Sequence, residues 1–296
     1  TTTGAGSVLL SATDNSTANA QAGGGNFSLA LGSSFGGSIS VGAVLATNDI
    51  ENTVQAYLFN STVNAAGDVQ LTTVSRPKII ATTVAVALSG SGTADGLAAT
   101  GAAGAAQSKN TISSTVAAHI TDSAVTAGGA VTVSSRTDKP ASGHNIEATA
   151  PAVSVGVAAT DPMEGVAFAL TGAGGNVINE STSGIQAFIG GSSTVVAAGE
   201  VSVRAADATT MDGDVIVVTV ALSEIAGSIA VALVTNTHAN DVQGYIDQAA
   251  VSSTTGAISV TADSSPAAAA VAVPVAVSVE ASGDGGDFYA NDGDFS

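Results

Sequence analysis

The residues with the most evident chemical potential are acidic and lie near the C-terminus. Gly283-Asp-Gly-Gly-Asp287 and Asn291-Asp-Gly-Asp294 place carboxylate oxygens on glycine-rich turns, a donor set that suits calcium. Asp284, Asp287, Asp292 and Asp294 are therefore the candidate metal ligands, and Ca2+ is the one cofactor suggested, though none is required. Asp212-Gly-Asp214 is a sparser second pair. The plain alternative for residues 281–296 is a solvated acidic tail or linker.

Catalysis by a Ser–His–acid triad turns on the histidines, because serine and threonine are everywhere in this chain. His119 shares its slot in a repeat with Tyr57, Phe188 and Tyr245, so the slot reads as packing or surface. His144 and Glu147 fall on a turn before a strand, where a metal would need a further ligand. His238 sits among Asn, Thr and Asp, as a turn residue would. A polysaccharide lyase or hydrolase would need carboxylates with Lys or Arg on one lateral face, and aromatic platforms for sugar rings. The basic residues are Arg76, Lys78, Lys109, Arg136, Lys139 and Arg204. Arg76, Arg136 and Arg204 recur at or just after one strand of the repeat, where they read as solubilising positions that interrupt sheet-edge association.

The elements that would position these groups follow from composition and periodicity. A mass of 28.1 kDa over 296 residues is about 95 Da per residue, well below an ordinary chain. Aromatics make up 3% and charged residues 10%, while the hydrophobic fraction of 45% is too high for a disordered acidic chain. A net charge of −18 opposes binding to nucleic acid or to an anionic membrane surface. Zero cysteine excludes disulfides, thiolate metal sites and thiol catalysis. The longest apolar run, Pro266 to Val279, is too short for a transmembrane helix and contains Pro274. The opening Thr1-Thr2-Thr3, with no basic-then-apolar leader, is expected of a processed product or a piece of a longer protein.

Five segments share the form Gly-any-apolar-any-apolar, beginning at Gly6, Gly67, Gly129, Gly199 and Gly256, with separations of 61, 62, 70 and 57 residues. Ahead of the last four lies a second shared segment: Val54-Gln-Ala-Tyr-Leu58, Val116-Ala-Ala-His-Ile120, Ile185-Gln-Ala-Phe-Ile189 and Val242-Gln-Gly-Tyr-Ile246. Apolar residues alternate with period two, and Val, Ile and Thr dominate, so the units are built of strands. Small residues suit a narrow core in which like positions stack from unit to unit. The expected fold is all-β: a parallel β-solenoid of about four to five imperfect repeats of about 60 residues, spanning residues 1–280, each repeat supplying two or three coils. With Val54, Ala56 and Leu58 inward, Tyr57 points outward. Tyr57, His119, Phe188 and Tyr245 then form a surface aromatic column, open to a neighbouring filament or a glycan unless a loop buries it.

Asn52-Thr-Val-Gln-Ala-Tyr-Leu58 and Asn60-Ser-Thr-Val-Asn-Ala-Ala-Gly-Asp-Val-Gln-Leu-Thr-Thr73 resemble the repeats of giant filamentous bacterial surface adhesins of the leukotoxin-like and filamentous-haemagglutinin-like kinds; Ile120-Thr-Asp-Ser-Ala-Val-Thr-Ala-Gly-Gly-Ala-Val-Thr-Val133 is similar. The resemblance runs from Val8 to about Val279. It implies an extended β-solenoid stalk exported to the cell surface, with no catalytic residues to carry over. The expected role is a non-catalytic extracellular filament, stalk or adhesin segment. It would assemble head to tail with further copies, or continue as a longer array of the same chain. The rival readings are a calcium-dependent glycan-binding adhesin module and a β-helix polysaccharide enzyme.

Overall fold

Period-two alternation with abundant Val, Thr and Ala dictates strands. The computed structural model describes residues 2–4, 6–161, 165–280 and 289–290, and among them it contains strands and no helix. One complete repeat reads Thr53–Phe59, Thr62–Ala65, Val69–Ser75, Lys78–Thr93 and Gly96–Ile112: three short strands, then two long ones.

Strands at the same place in successive repeats pair in parallel, which gives five sheets. Sheet 1 is Thr53–Phe59, Thr115–Thr121, Gly184–Gly190 and Asp241–Ile246. Sheet 2 joins the four-residue strands, such as Thr62–Ala65 and Ala124–Ala127. Sheet 3 is Val8–Asp14, Val69–Ser75, Val131–Thr137, Val201–Asp207 and Ile258–Ser264. Sheet 4 holds the first long strand of each repeat, among them Thr17–Gly32, Lys78–Thr93, Thr210–Ser223 and Ala267–Glu280. Sheet 5 holds the second: Phe35–Ile50, Gly96–Ile112, Gly165–Ser181 and Ile225–His238.

A strand's hydrogen-bonded neighbour lies a whole repeat away: Val69 pairs with Val131, and Val131 with Val201. Each repeat therefore contributes one layer of five strands, not two or three coils. The difference arises in the long alternating runs. Their internal glycines read as turns, yet Lys78–Thr93 passes through Gly90 and Gly92 without a break. The third unit is longer because residues 138–145 loop out before Ile146, and its first long strand is divided at Pro151, which has no N–H for the ladder.

Sheets 1 to 3 enclose a core of Val, Ile and Leu, including Leu71, Val116, Ile120, Val131 and Ile185. Sheets 4 and 5 pack on each other through Ala81, Ala85, Ala106 and Ala152. Glycine lets them approach closely. A Cβ on Gly42 would stand 2.7 Å from the Val86 carbonyl oxygen, and one on Gly104 would stand 2.9 Å from that of Val153. Ile50, Ile79, Ile112, Ile146 and Met211 form a further buried cluster in the long-strand sheets.

Candidate functional site: a surface of stacked columns

In-register pairing turns one side chain per repeat into a column. Tyr57 is level with His119, His119 with Phe188, and Phe188 with Tyr245. Their rings stack nearly parallel, with centroids 5.2, 4.7 and 4.8 Å apart. The strand spacing of about 4.8 Å sets that distance, so the rings meet face to face without a change of backbone. Tyr57 is 50% exposed and the other three are half-buried. Val54, Ala56 and Leu58 point into the core. Burial holds the His119 imidazole below its ordinary pKa. The Tyr245 phenol is raised by burial and then by Asp247. His119 Nδ1 lies 3.1 Å from Thr121 Oγ1.

A second column lies inside. Asn48, Asn110, Asn179 and Asn236 occupy one position of sheet 5, and each Nδ2 donates to the next Oδ1 at 2.9, 2.9 and 2.8 Å. Asn110 and Asn179 are fully buried, so the ladder satisfies carboxamides that would otherwise be costly. Sequence reasoning missed it. The signal was available as asparagine recurring four residues ahead of Asn52, Ser114, Ser183 and Asn240, which begin the next unit.

The three histidines are dispersed. His144 Nδ1 stands 3.8 Å from Glu147 Oε1 and 3.9 Å from Asp212 Oδ2, while Lys78 Nζ lies 3.4 Å from Glu147 Oε2. The structure thus brings a second carboxylate to His144, but among the described residues no group of three His, Cys, Asp or Glu is arranged to hold a metal. Asp214, beside it, is raised by burial and then by Asp212. His238 is not a turn residue: it ends the strand Ile225–His238, and its Nε2 lies 2.6 Å from Oδ2 of the buried Asp207. Asn240 Nδ2 donates to that same oxygen, and Thr209 donates its N–H and hydroxyl to Oδ1. In the contacts seen here, His119 meets a hydroxyl and His144 and His238 meet carboxylates; none joins both.

Arg136 and Arg204 lie within sheet 3 strands, and only Arg76 follows one. They tie layers together: Asp138 takes Arg76 at 3.1 Å and Arg136 at 2.9 Å, and Arg204 meets Asp263 at 3.2 Å. Arg136, Asp138, Arg204 and Asp263 border a polar cleft of about 400 Å³. It opens on sheet 3, whereas the aromatic column belongs to sheet 1. The candidate calcium ligands Asp284, Asp287, Asp292 and Asp294 lie outside the described residues. No helix among the described residues is long and apolar enough to cross a membrane.

No protein-family model, curated protein or solved structure matches this chain.

Proposed function

We propose that the five parallel sheets form one β-solenoid and that the chain is a structural, non-catalytic segment of an extracellular bacterial filament or stalk. The observation that carries this reading is the repetition of like side chains through successive layers, in the aromatic column and the asparagine ladder alike. Such columns favour continued stacking, since each new layer meets a surface already shaped for it.

The last layer supports the same reading. Val201 and Val203 are fully buried, but their counterparts Ile258 and Val260 are 47% and 41% exposed. A further layer, from a second copy or from more of the same chain, would cover them and pair the open strand edge. Five layers at about 4.8 Å rise only about 24 Å, while a 16-residue strand runs about 53 Å. One chain alone is thus a short block, and a filament requires many layers. Electron microscopy of the purified 296-residue chain is the test. Fibres with a 4.8 Å axial repeat support end-to-end assembly. Dispersed blocks, with a far longer polypeptide in native material, show a covalent array, and a compact non-fibrous native assembly defeats the filament reading.

A further inference from the structure

The first and last layers are uncovered in the same columns. In sheet 3, Val69 and Leu71 are fully buried, but Val8 and Leu10 of the first layer are half-buried and Ile258 and Val260 of the last are exposed. The register carries each column from one end to the other. Val8, Val69, Val131, Val201 and Ile258 are level, and so are Gly24, Ala85, Ala152, Val217 and Pro274. Continued by one step, the first column sets Ile258 beside Val8 of another copy, and the second sets Pro274 beside its Gly24. The same step sets Ala268, Ala270 and Ala272 beside Ala18, Ala20 and Ala22.

Pro274 restricts what can cover the last layer. The Ala267 N–H donates to the Thr209 carbonyl, so odd-numbered residues of Ala267–Glu280 face the strand already paired and even-numbered ones face the uncovered side. Pro274 therefore removes no hydrogen bond from the existing ladder, but it offers none to a covering strand and turns its ring toward it. Where Pro151 faces the paired strand Lys78–Thr93, the strand that carries it is divided. A covering strand thus needs backbone that can bow at this level, and of Gly24, Ala85, Ala152 and Val217 only the first supplies it. Gly24 stands in a run of three, Gly23-Gly24-Gly25. Packing within the chain accounts for Gly24, where a Cβ would stand 2.8 Å from Val44. It does not account for Gly23, where a Cβ meets nothing within 4 Å, or for Gly25, where it meets only Val86 at 4.0 Å. The Lys78 N–H donates to the Ser16 carbonyl, so the backbone groups of Gly23 and Gly25 are the ones that face the uncovered side.

We propose that the last layer takes the first layer of a second copy in this one register, with Pro274 against Gly23-Gly24-Gly25, and that the joint is made through sheets 2, 3 and 4. This rests on the filament reading and adds a partner and a register to it. Among the described residues those three sheets hold five layers, while sheets 1 and 5 hold four. The joint therefore leaves one strand position open in sheets 1 and 5. The asparagine ladder of sheet 5 ends in keeping with this: Asn236 Nδ2 donates to the Ala269 carbonyl of the last sheet 4 layer at 2.7 Å. Tyr289–Ala290 pairs with Val279 and Glu280 and takes the uncovered side only there, so the sheet 4 part of the joint runs from Ala267 to Ser278. Two last layers set against each other would bring no glycine to Pro274.

The chain has no cysteine, so single introduced thiols report the register. Ser11 and Thr261 are exposed and share a column of sheet 3. Across the joint their Cα atoms would lie about 4.8 Å apart, within disulfide reach, whereas Thr13 would lie about 8 Å from Thr261 and out of reach. Full-length Ser11→Cys and Thr261→Cys chains, mixed, assembled and oxidised, are expected to give a mixed disulfide dimer. Thr13→Cys mixed with Thr261→Cys, and each variant alone, should give about tenfold less. Fibres should show an axial repeat of about 24 Å, five layers, beside that of about 4.8 Å. Pro274→Ala supplies an N–H to the partner's Gly23 carbonyl and should lower the critical concentration for assembly about two- to tenfold, with the circular dichroism spectrum of the dispersed chain unchanged. Fibres without the cross-link, a cross-link from either variant alone, or no effect of Pro274→Ala on assembly would overturn the register while the filament reading stands. Chains that stay dispersed at every concentration would overturn the joint as well, and the length of the native polypeptide then decides the filament reading separately.

Discussion

The three short-strand sheets and the two long-strand sheets solve the same packing problem in opposite ways. In the short-strand region large side chains point inward: Leu71, Ile120, Val131 and Ile189 are fully buried. In the long-strand region the size order is inverted. Along Lys78–Thr93 the inward positions after Ile79 are Ala81, Thr83, Ala85, Ala87, Ser89 and Ser91, while Val84 and Leu88 face outward at 38% exposure each. Three sheets that share one core leave a wide interior that needs bulk. Two sheets face to face can instead close until small residues touch, and interior density is then reached with alanine and glycine. Alternation alone therefore reports the strand but not which of its faces is buried.

Substitutions that remove or add volume should separate the two regions. Leu71→Ala leaves a cavity in the short-strand core and is expected to cost about 2.7–5 kcal/mol, read from the denaturant midpoint. The equivalent deletion in the long-strand region, Ala85→Gly, removes a single methyl group and should cost much less. A loss at Ala85→Gly equal to that at Leu71→Ala would show that both regions depend on bulk in the same way.

The converse change should damage only the long-strand pair. Gly104→Val puts a Cβ 2.9 Å from the Val153 carbonyl oxygen. Backbone cannot yield as a flexible side chain does, so overpacking of about 1–3 kcal/mol is expected. Gly174→Val, on the outer face of the same sheet, is the control and should be near neutral. Matching losses at both positions would mean that strand propensity, rather than sheet-to-sheet approach, sets the cost.

The asparagine ladder belongs to the inner face of the long-strand region. Asn110→Ala removes the partner of both Asn48 and Asn179. Leaving buried carboxamides unpaired costs about 1–3 kcal/mol. Replacing Asn48, Asn110, Asn179 and Asn236 together by apolar residues of similar size should cost less than four times the single change. Strict additivity would show that the four do not act as one ladder.

Much of this organisation was legible because repetition makes weak signals consistent. Gly-any-apolar-any-apolar marked one short strand in every unit, and Val54-Gln-Ala-Tyr-Leu58 marked the inward and outward faces of another. The aromatic slot could be read from Tyr57, His119, Phe188 and Tyr245 because aromatics are otherwise scarce. Two things could not be read. Gly90 and Gly92 in Lys78–Thr93 and Gly104 in Gly96–Ile112 run within strands rather than turning, Gly104 at a close approach to Val153, and sequence does not distinguish these uses until a partner strand is present. The pairing of His238 with Asp207 joins residues 31 apart on different sheets, and no local pattern encodes it.

The smallest effect expected concerns the aromatic column, the short-strand region's outward counterpart to the buried ladder. Burial among the rings lowers the pKa of His119 from 6.5, because the neutral imidazole stacks where the charged form would lose hydration. The unfolded chain therefore takes up a proton at higher pH than the folded one. Between the unfolded value and the lower folded one, the unfolded state holds more protons, so stability rises with pH there and falls on acidification. Facing groups are few: Tyr57 and Phe188 lie to either side, and Thr121 Oγ1 is the ring's hydrogen-bond partner. His119→Phe keeps a ring in the stack and removes the titrating group. The variant should lose the part of acid sensitivity just below pH 6.5 and match wild type above it. An NMR titration of wild type that puts His119 at or above the ordinary histidine value would reverse the sign and remove this account of the column.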